Sequence, residues 1–343
     1  MLSGIVRCCV RDTDTRKTEG IMKNLPLVSI ITPCYNGAKV ITRMMESVIA
    51  QTYGNIEYIL VNDGSTDETE EVVLPLGEKM KAKGYRFVYV KQENGGLGAA
   101  INAGLRVFTG DYLCWADADD FYAPESVEKR VVWMENNPEY GVITSDAVIV
   151  PEDDVTRKIR RVSEGVPNCS DENQFWHLLR GESIFTPGTH MARAEMFLKC
   201  YPERQIYPAR RGQDWQLLLP MYYNYKRHYM DEPLFYYVVS SNSMSRDGSS
   251  EKKLFRCDEH EDIIAHTLAV IDMKQEDRNA AERLVKTTYA SKRLSIAYHY
   301  DLPEVADTQK NVLRELKAFT GRRKMYYFGA KHRWAKKLLK KLS

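Results

Sequence analysis

Three apolar runs, at 27–32, 56–61 and 85–90, with helical segments between them, constrain this chain more than anything else in it. The second run is nearly all apolar, as expected of a strand covered on both faces. Each of the three is followed by turn-forming residues: Pro33-Cys34-Tyr35-Asn36-Gly37, then Asn62-Asp63-Gly64-Ser65-Thr66-Asp67, then Asn94-Gly95-Gly96. Between the first two runs, Val40, Ile41, Met44, Met45 and Val48 recur at helical spacing, which predicts a helix over 38–50. Thr66 or Asp67 caps a second helix, which Pro75 ends or divides. Asn94 to Gly98 opens a third, reaching about Phe108. Alternating strands and helices with short loops predict a parallel sheet with right-handed crossovers. Such sheets bind ligands at the carboxyl ends of their strands. Tyr35, Asp63, Asn94 and Asp117 all fall there.

A fourth strand, 112–116, runs directly into Asp117-Ala118-Asp119, with Asp120 just behind. If the extended geometry continues, Asp117 and Asp119 point to the same side. Two carboxylates converging at a strand end repel each other unless a cation lies between them. A hard divalent ion shared with phosphate oxygens is the usual solution. The plainer reading is an exposed acidic turn capping the helix that begins near Pro124.

Downstream, the pattern predicts a helix over 125–136, a strand over 141–150, a charged loop over 153–167 and a helix capped by Ser170-Asp171-Glu172. Thr186-Pro187-Gly188-Thr189-His190-Met191 reads as a loop entering a strand. Next come a helix over 215–225 interrupted by Pro220, and strands at 228–231 and 234–239. From Glu251 to about Phe319 the reading is helical, in three segments broken near Met273 and Pro303. The resulting division is 1–24 a disordered extension, 25–248 the α/β domain, 249–321 a helical region and 322–343 a basic tail. Met22, just before Lys23-Asn24-Leu25-Pro26, is an alternative start.

Hydrophobic content of 43% with 28% charged residues fits a globular protein with a real core. No run approaches the ~18 consecutive apolar residues of a membrane-spanning helix. Seven cysteines without a Cys-x-x-Cys pair exclude a zinc or redox framework and fit a reducing cytoplasm. The formal charge of +2 hides an asymmetry, because residues 322–343 hold nine Lys/Arg and no acid, leaving 40 basic against 47 acidic residues elsewhere. There Trp334, Leu338 and Leu342 recur at helical spacing, with Lys336, Lys337, Lys340 and Lys341 on the other face and Tyr326, Tyr327 and Phe328 upstream. A basic amphipathic helix with an aromatic belt suits an anionic membrane surface. A solvated charged tail is the plainer alternative. No recognition fold accompanies it, so nucleic acid is not an expected partner.

In order and spacing, residues Val28 to Asp120 resemble family 2 glycosyltransferases of the GT-A fold. The marks are Pro33-Cys34-Tyr35-Asn36, Asn62-Asp63-Gly64-Ser65-Thr66-Asp67, Asn94-Gly95-Gly96 and Asp117-Ala118-Asp119. The likeness continues more weakly to about Asp247, where Arg211-Gly212-Gln213-Asp214-Trp215 looks like the family's late acidic motif. It implies a Rossmann-like, mostly parallel central sheet flanked by helices, here with a C-terminal helical extension. It also implies an inverting enzyme of the bacterial surface-glycan type, with a UDP-sugar donor and Mn²⁺ or Mg²⁺. The donor-binding residues it implies are Pro33, Tyr35, Asn36, Asp63, Asn94, Gly95, Asp117, Ala118, Asp119 and Arg211. The metal would rest on Asp119 and Asp117, and Asp214 would be the base.

The residue chemistry agrees with these roles. Pro33 and Tyr35 offer a face for the nucleotide base, Asp63 an acceptor for its imide N–H, and Asp117 an acceptor for ribose hydroxyls. Asp214, beside Arg210 and Arg211, is expected to stay ionised. Each has a plainer reading: turn packing for Pro33 and Tyr35, a turn pair for Asp63-Gly64, and a helix cap for Asp214. His190 is either a phosphate or acceptor contact or a packed histidine. One departure stands out. Many relatives carry Arg just before an Asn in the helix after the Asn-Gly segment, where this chain has Ile101-Asn102. Arg211 or Lys91 is then expected to supply the missing cation. The acceptor is expected to be a glycan, lipid-linked, in surface polysaccharide synthesis at the inner face of the cell membrane. The alternatives are an inactive sugar-nucleotide-binding or scaffold protein, and a nucleotidyltransferase. The latter wants a Gly-rich basic loop after the first strand, which Pro33 to Gly37 does not provide.

Overall fold

A computed structural model describes residues 25–240 and 248–332, together with Trp334 and Lys336. The expected disorder of 1–24, and most of the amphipathic tail, lie outside the described residues. One sheet of nine strands organises the rest, in the order β3-β2-β1-β4-β8-β6-β9-β5, with β7 paired to β6. The strands are β1 (Val28–Cys34), β2 (Ile56–Asp63), β3 (Arg86–Gln92), β4 (Tyr112–Trp115), β5 (Phe121–Tyr122), β6 (Tyr140–Pro151), β7 (Arg160–Arg161), β8 (His190–Arg193) and β9 (Lys226–Val239). β3, β2, β1 and β4 are mutually parallel, as the apolar runs predict. β8 then runs antiparallel between β4 and β6, while β6 and β9 are parallel and β5 is antiparallel to β9.

β1, β2 and β4 are buried along their whole length because each face packs against a different helical layer, whereas the edge strand β3 is only half-buried. Side chains alternate between the faces with period two. Ile30, Tyr58, Leu60 and Tyr112 pack on α1 (Ile41–Ile49), α2 (Thr69–Ala82) and α4 (Ser126–Asn136). Ile31, Ile59, Val61 and Trp115 pack on the other face, against α3 (Leu97–Val107), α5 (Phe175–Arg180) and α7 (Gln213–Asn224). That second core continues into α8 (Ser250–Val270) and the first half of α9 (Gln275–Tyr300) through Ile264, Leu268, Val285 and Tyr289. α6 (Ala194–Cys200) follows β8 directly. The second half of α9, with α10 (Pro303–Glu315) and α11 (Gly321–Lys331), encloses a separate small core around Leu294, Ala297 and Leu313.

Several expectations need correction. Pro75 neither ends nor divides α2, which runs through it. Pro75 is exposed at that point, so the carbonyl it leaves unpaired can be solvated. Pro220 likewise sits inside an unbroken α7. The loop expected over 153–167 contains the short strand β7. The two late strands are one, β9, carrying a bulge: Ser145 pairs with Met230 but Asp146 with Pro233, leaving Asp231 and Glu232 unmatched. A bulge is where proline, lacking an N–H, is tolerated in a sheet. Tyr326 and Tyr327 pack toward the small core of the last helices rather than forming a free aromatic belt.

Candidate active site

The carboxyl ends of β1, β2 and β4 open on one side of the sheet, and their loops are stitched together before any ligand is considered. Asn36, with φ of 50°, donates its N–H to Ser65 Oγ at 2.9 Å and accepts from Thr66 N at 2.8 Å through its side chain. Gly37 N and Ala38 N reach Thr69 Oγ1 and Asp67 Oδ2. Asp67 also accepts from Thr69 N at 3.1 Å just before α2, although the residue at the helix N-cap is Glu68 rather than the expected Thr66 or Asp67. Pro33 is buried within β1, while Tyr35 beyond it is 53% exposed, an open aromatic face at the rim.

Asp63 is buried, and its carboxylate ties β2 to the Gly-rich loop. Oδ1 accepts from Gln92 Nε2 at 2.7 Å and Gly95 N at 2.9 Å, and Oδ2 accepts from Gly96 N at 2.9 Å. Gly64 and Gly96 take φ of 74° and 85° here, and a Cβ on either would press on Asn94 or Arg210. Asn94 is exposed beside them. Asp63→Ala removes a charged acceptor from three N–H donors. It should therefore cost about 3 kcal/mol of stability, read by urea denaturation, together with donor affinity. An unchanged midpoint would show that the loop holds itself.

β4 ends at Trp115, so extended geometry does not continue to the acidic motif. Instead a turn at Ala118 and Asp119 gathers the carboxylates, and Asp120 N lies 3.4 Å from Asp117 O. Asp117, Asp119 and Asp120 bring carboxylate oxygens within 4.8 Å of one another. Asp117 and Ala118 are half-buried, whereas Asp119 is exposed. Asp120 is fully buried. Its Oδ1 accepts from Val238 N at 2.8 Å, while Oδ2 has no hydrogen-bond partner. Burial and the neighbouring Asp119 push Asp117 up to about 7, and burial with both neighbours pushes Asp120 well above the usual carboxylate range. A buried, unpartnered carboxylate oxygen beside two others is costly alone and fits a hard divalent cation such as Mg²⁺ or Mn²⁺. Asp120, the third acid in the run, joins the candidate ligands here, and its place directly after Asp119 is the sequence signal for it.

Asp214 reaches this cluster from far along the chain. It stands in the first turn of α7, whose start is set by Gly212 at φ 76°, and it is 8% exposed. Its Oδ1 accepts from Trp115 Nε1 at 2.8 Å, a bond across 99 residues of sequence. Burial and Asp117 raise its pKa well above the ordinary value. The expectation that Arg210 and Arg211 hold it ionised is thus overturned. Arg211 pairs with Glu259 of α8 at 3.3 Å, and Arg210 packs on Gly96. Lys91 is engaged with Glu70. Neither expected stand-in for the missing arginine is therefore free of an acidic partner. The cation beside the cluster is Arg43 of α1, which donates to Asp119 O and pulls against the rise in Asp119.

Ile101 is core, and Asn102 clamps Ile206 through both amide atoms at 2.8 and 2.9 Å. His190 is a packed histidine. It stacks on Trp115 with ring centroids 5.8 Å apart and bonds Thr144 Oγ1 at 2.9 Å, and burial drives its pKa well down. Tyr237 of β9 was not anticipated. Burial, with Asp120, Asp117, Asp119 and Asp214 all acting on it, pushes its phenol up to about 12.

The profile of "Glycosyl transferase family 2" matches residues 29–200. An uncharacterised glycosyltransferase of Rickettsia prowazekii is 46% identical over 106 residues, 31% of this chain and 31% of that protein. Glycosyltransferase GlyA of Streptococcus pneumoniae serotype 4 is 40% identical over 108 residues, 31% of this chain and 15% of that one. The match thus spans about a third or less of the length of these curated relatives. Among solved structures, S. aureus TarS 1-349 in complex with UDP-GlcNAc aligns with a TM-score of 0.62 at 17% identity, covering 88% of this chain and 87% of that one. That likeness is one of fold. The matched region takes in the loops after β1, β2, β3 and β4 but stops short of Asp214.

Proposed function

Because this chain belongs to glycosyl transferase family 2, we propose that it moves a sugar from a nucleotide-diphosphate donor to a glycan hydroxyl, with inversion at the anomeric carbon. The observation that carries this reading is the cluster of Asp117, Asp119 and Asp120 just after β4, with Asp214 hydrogen-bonded to Trp115, the last residue of that strand. A separate buried acid tied to the end of the same strand suits a division of labour. The three would hold a divalent cation, and the fourth would take a proton. UDP is the natural nucleotide to test first, because the TarS structure of similar fold was solved with UDP-GlcNAc.

In this reading Tyr35 and Pro33 border the nucleotide base. Asp63, through Gly95 and Gly96, holds the loop that closes over it, with Asn36 and Asn94 at the rim. Asp117, Asp119 and Asp120 would hold a divalent cation, which when bound would supply charge neutralisation to the leaving diphosphate. Asp214 accepts the acceptor hydroxyl's proton while Trp115 keeps its carboxylate aimed. Arg43 adds positive charge beside Asp119. Arg211, engaged with Glu259, is the weakest member of the set. The acceptor is a glycan, lipid-linked in a surface polysaccharide pathway, met at the cytoplasmic face of the membrane.

Thermal shift against nucleotides and nucleotide-sugars, with and without Mn²⁺ or Mg²⁺, tests the donor half of this reading. A ligand at ~100 times its dissociation constant adds about 2.7 kcal/mol to folding, so stabilisation is readily seen. Metal-dependent stabilisation by UDP, and more by one UDP-sugar, is the expected result. A folded sample that ignores every nucleotide would overturn the reading.

A further inference from the structure

The last described helices carry a feature that sugar transfer does not use. α10 stops at Glu315, and Lys317 then takes a left-handed φ of 51°, which lets Ala318 N donate back to Leu313 O at 2.7 Å. The turn opens a concavity of about 500 Å³ against α11, lined by Arg314, Lys317, Phe319, Thr320, Lys324 and Phe328. Its three cations are exposed, and none forms an ion pair among the described residues. Neighbouring basic residues do: Lys310 and Lys331 with Asp307, Arg293 with Asp258 and Glu261, and Lys336 with Asp301. Arg314 lies over the Phe319 ring at 5.6 Å, so aromatic surface and charge share one wall. Apolar side chains stand outward beside it. Met325 is 47% and Phe328 52% exposed, one turn apart on α11, and Trp334 further on is 69% exposed.

Three like charges around one concavity repel each other, and an anion between them relieves that repulsion. Exposed apolar side chains next to a basic cluster have little to gain from water and much from a lipid interface. We propose that this concavity seats the phosphate headgroups of an anionic bilayer, with Met325 and Phe328 entering the boundary between headgroups and acyl chains. A nucleic acid strand would want a basic groove with aromatic faces to stack on. Here the cations converge on one hollow rather than following a groove, and the exposed side chains beside it include the non-aromatic Met325 as well as Phe328. The proposal rests on the membrane setting of the proposed function, but its surface belongs to the small core of the last helices, apart from the aspartates. Vesicle binding and sugar transfer are therefore measured separately.

The test is full-length Arg314→Gln/Lys317→Gly/Lys324→Gln, co-sedimented with phosphatidylcholine vesicles with or without phosphatidylserine. Glycine is the favoured residue at a left-handed turn position, so Lys317→Gly leaves the fold unstrained, as a thermal melt checks. At about a fivefold gain in binding per basic residue near an anionic surface, the triple change should weaken binding to phosphatidylserine vesicles by about 100-fold. Nucleotide-sugar hydrolysis should be unchanged, and wild-type protein should ignore pure phosphatidylcholine. Equal binding by variant and wild type would overturn the concavity, leaving attachment to residues outside it. Wild-type protein that ignores both kinds of vesicle would overturn the concavity and the membrane setting together, whatever its transfer activity. Tighter binding to a single-stranded oligonucleotide than to phosphatidylserine vesicles would overturn the choice of a bilayer.

Discussion

Asp214→Asn should lower sugar transfer by about 10³-fold, within the range that general-base catalysis contributes, while nucleotide stabilisation in a thermal melt stays intact. The substitution is gentle to the fold. An amide oxygen still accepts from Trp115 Nε1, which lies 2.8 Å from Asp214 Oδ1. It also removes a charge that burial and Asp117 disfavour. A carboxylate whose folded pKa lies above its unfolded value costs stability once pH exceeds the unfolded value. Asp214→Asn should therefore raise the melting temperature at pH 8 and change it little at pH 4. Loss of transfer with a stabilised fold and retained nucleotide binding identifies a base. Undiminished transfer would remove Asp214 from that role. A wild-type protein that binds donor but transfers nothing would point to a sugar-nucleotide-binding protein on the same fold.

The strands β1 to β4 were legible because each is a short, almost wholly apolar run with turn residues after it. For β1, β2 and β4 burial on both faces leaves that signature, and the half-buried edge strand β3 keeps enough of it to be read. The acids at their ends were legible for the same reason: a strand end in a parallel sheet is a place, not merely a composition. The mixed half of the sheet was harder. β9 reads as two strands because Asp231, Glu232 and Pro233 look like a break, and only pairing with β6 shows a bulge there. Pro75 and Pro220 read as helix breakers. Both are carried by helices packed along their length, which outweighs one lost hydrogen bond.

The candidate residues were legible by their places at strand ends, but the electrostatics around them were not. Nothing local in the sequence says that Trp115 bonds Asp214, since 99 residues separate them. Arg210 and Arg211 precede Asp214 immediately, yet the charge that acts on it comes from Asp117. Glu259, on a helix outside the region of strong resemblance, takes up Arg211 instead. Sequence adjacency fixes which residues are close along the chain. Tertiary packing decides which charges face one another, and for a buried acid that decides its pKa.

Removing divalent cations with a chelator should lower transfer by about 10³-fold, because charge stabilisation by a metal is worth several kcal/mol, and adding back Mn²⁺ or Mg²⁺ should restore it. The same cluster predicts how stability responds to pH. Without a cation, Asp117 has a folded pKa of about 7 against an ordinary value of 3.8. Below 3.8 both states are protonated and the group is neutral in the balance. As pH rises toward about 7 the unfolded chain ionises first, and the fold loses stability across that window. Asp120, displaced in the same direction, adds to the loss. A bound divalent cation reverses the sign, because it favours the ionised carboxylates and binding releases their protons. The melting temperature of the metal-free protein should accordingly fall between pH 5 and pH 8. The gain on adding Mn²⁺ should be small at pH 5 and large at pH 8. Asp119→Asn should shrink that gain at pH 8 without abolishing the fold, since Asp119 is the exposed member of the three. A gain from Mn²⁺ that is equal at both pH values would mean that the cation binds elsewhere. The three acids would then be a strained turn rather than the charge-handling end of the site.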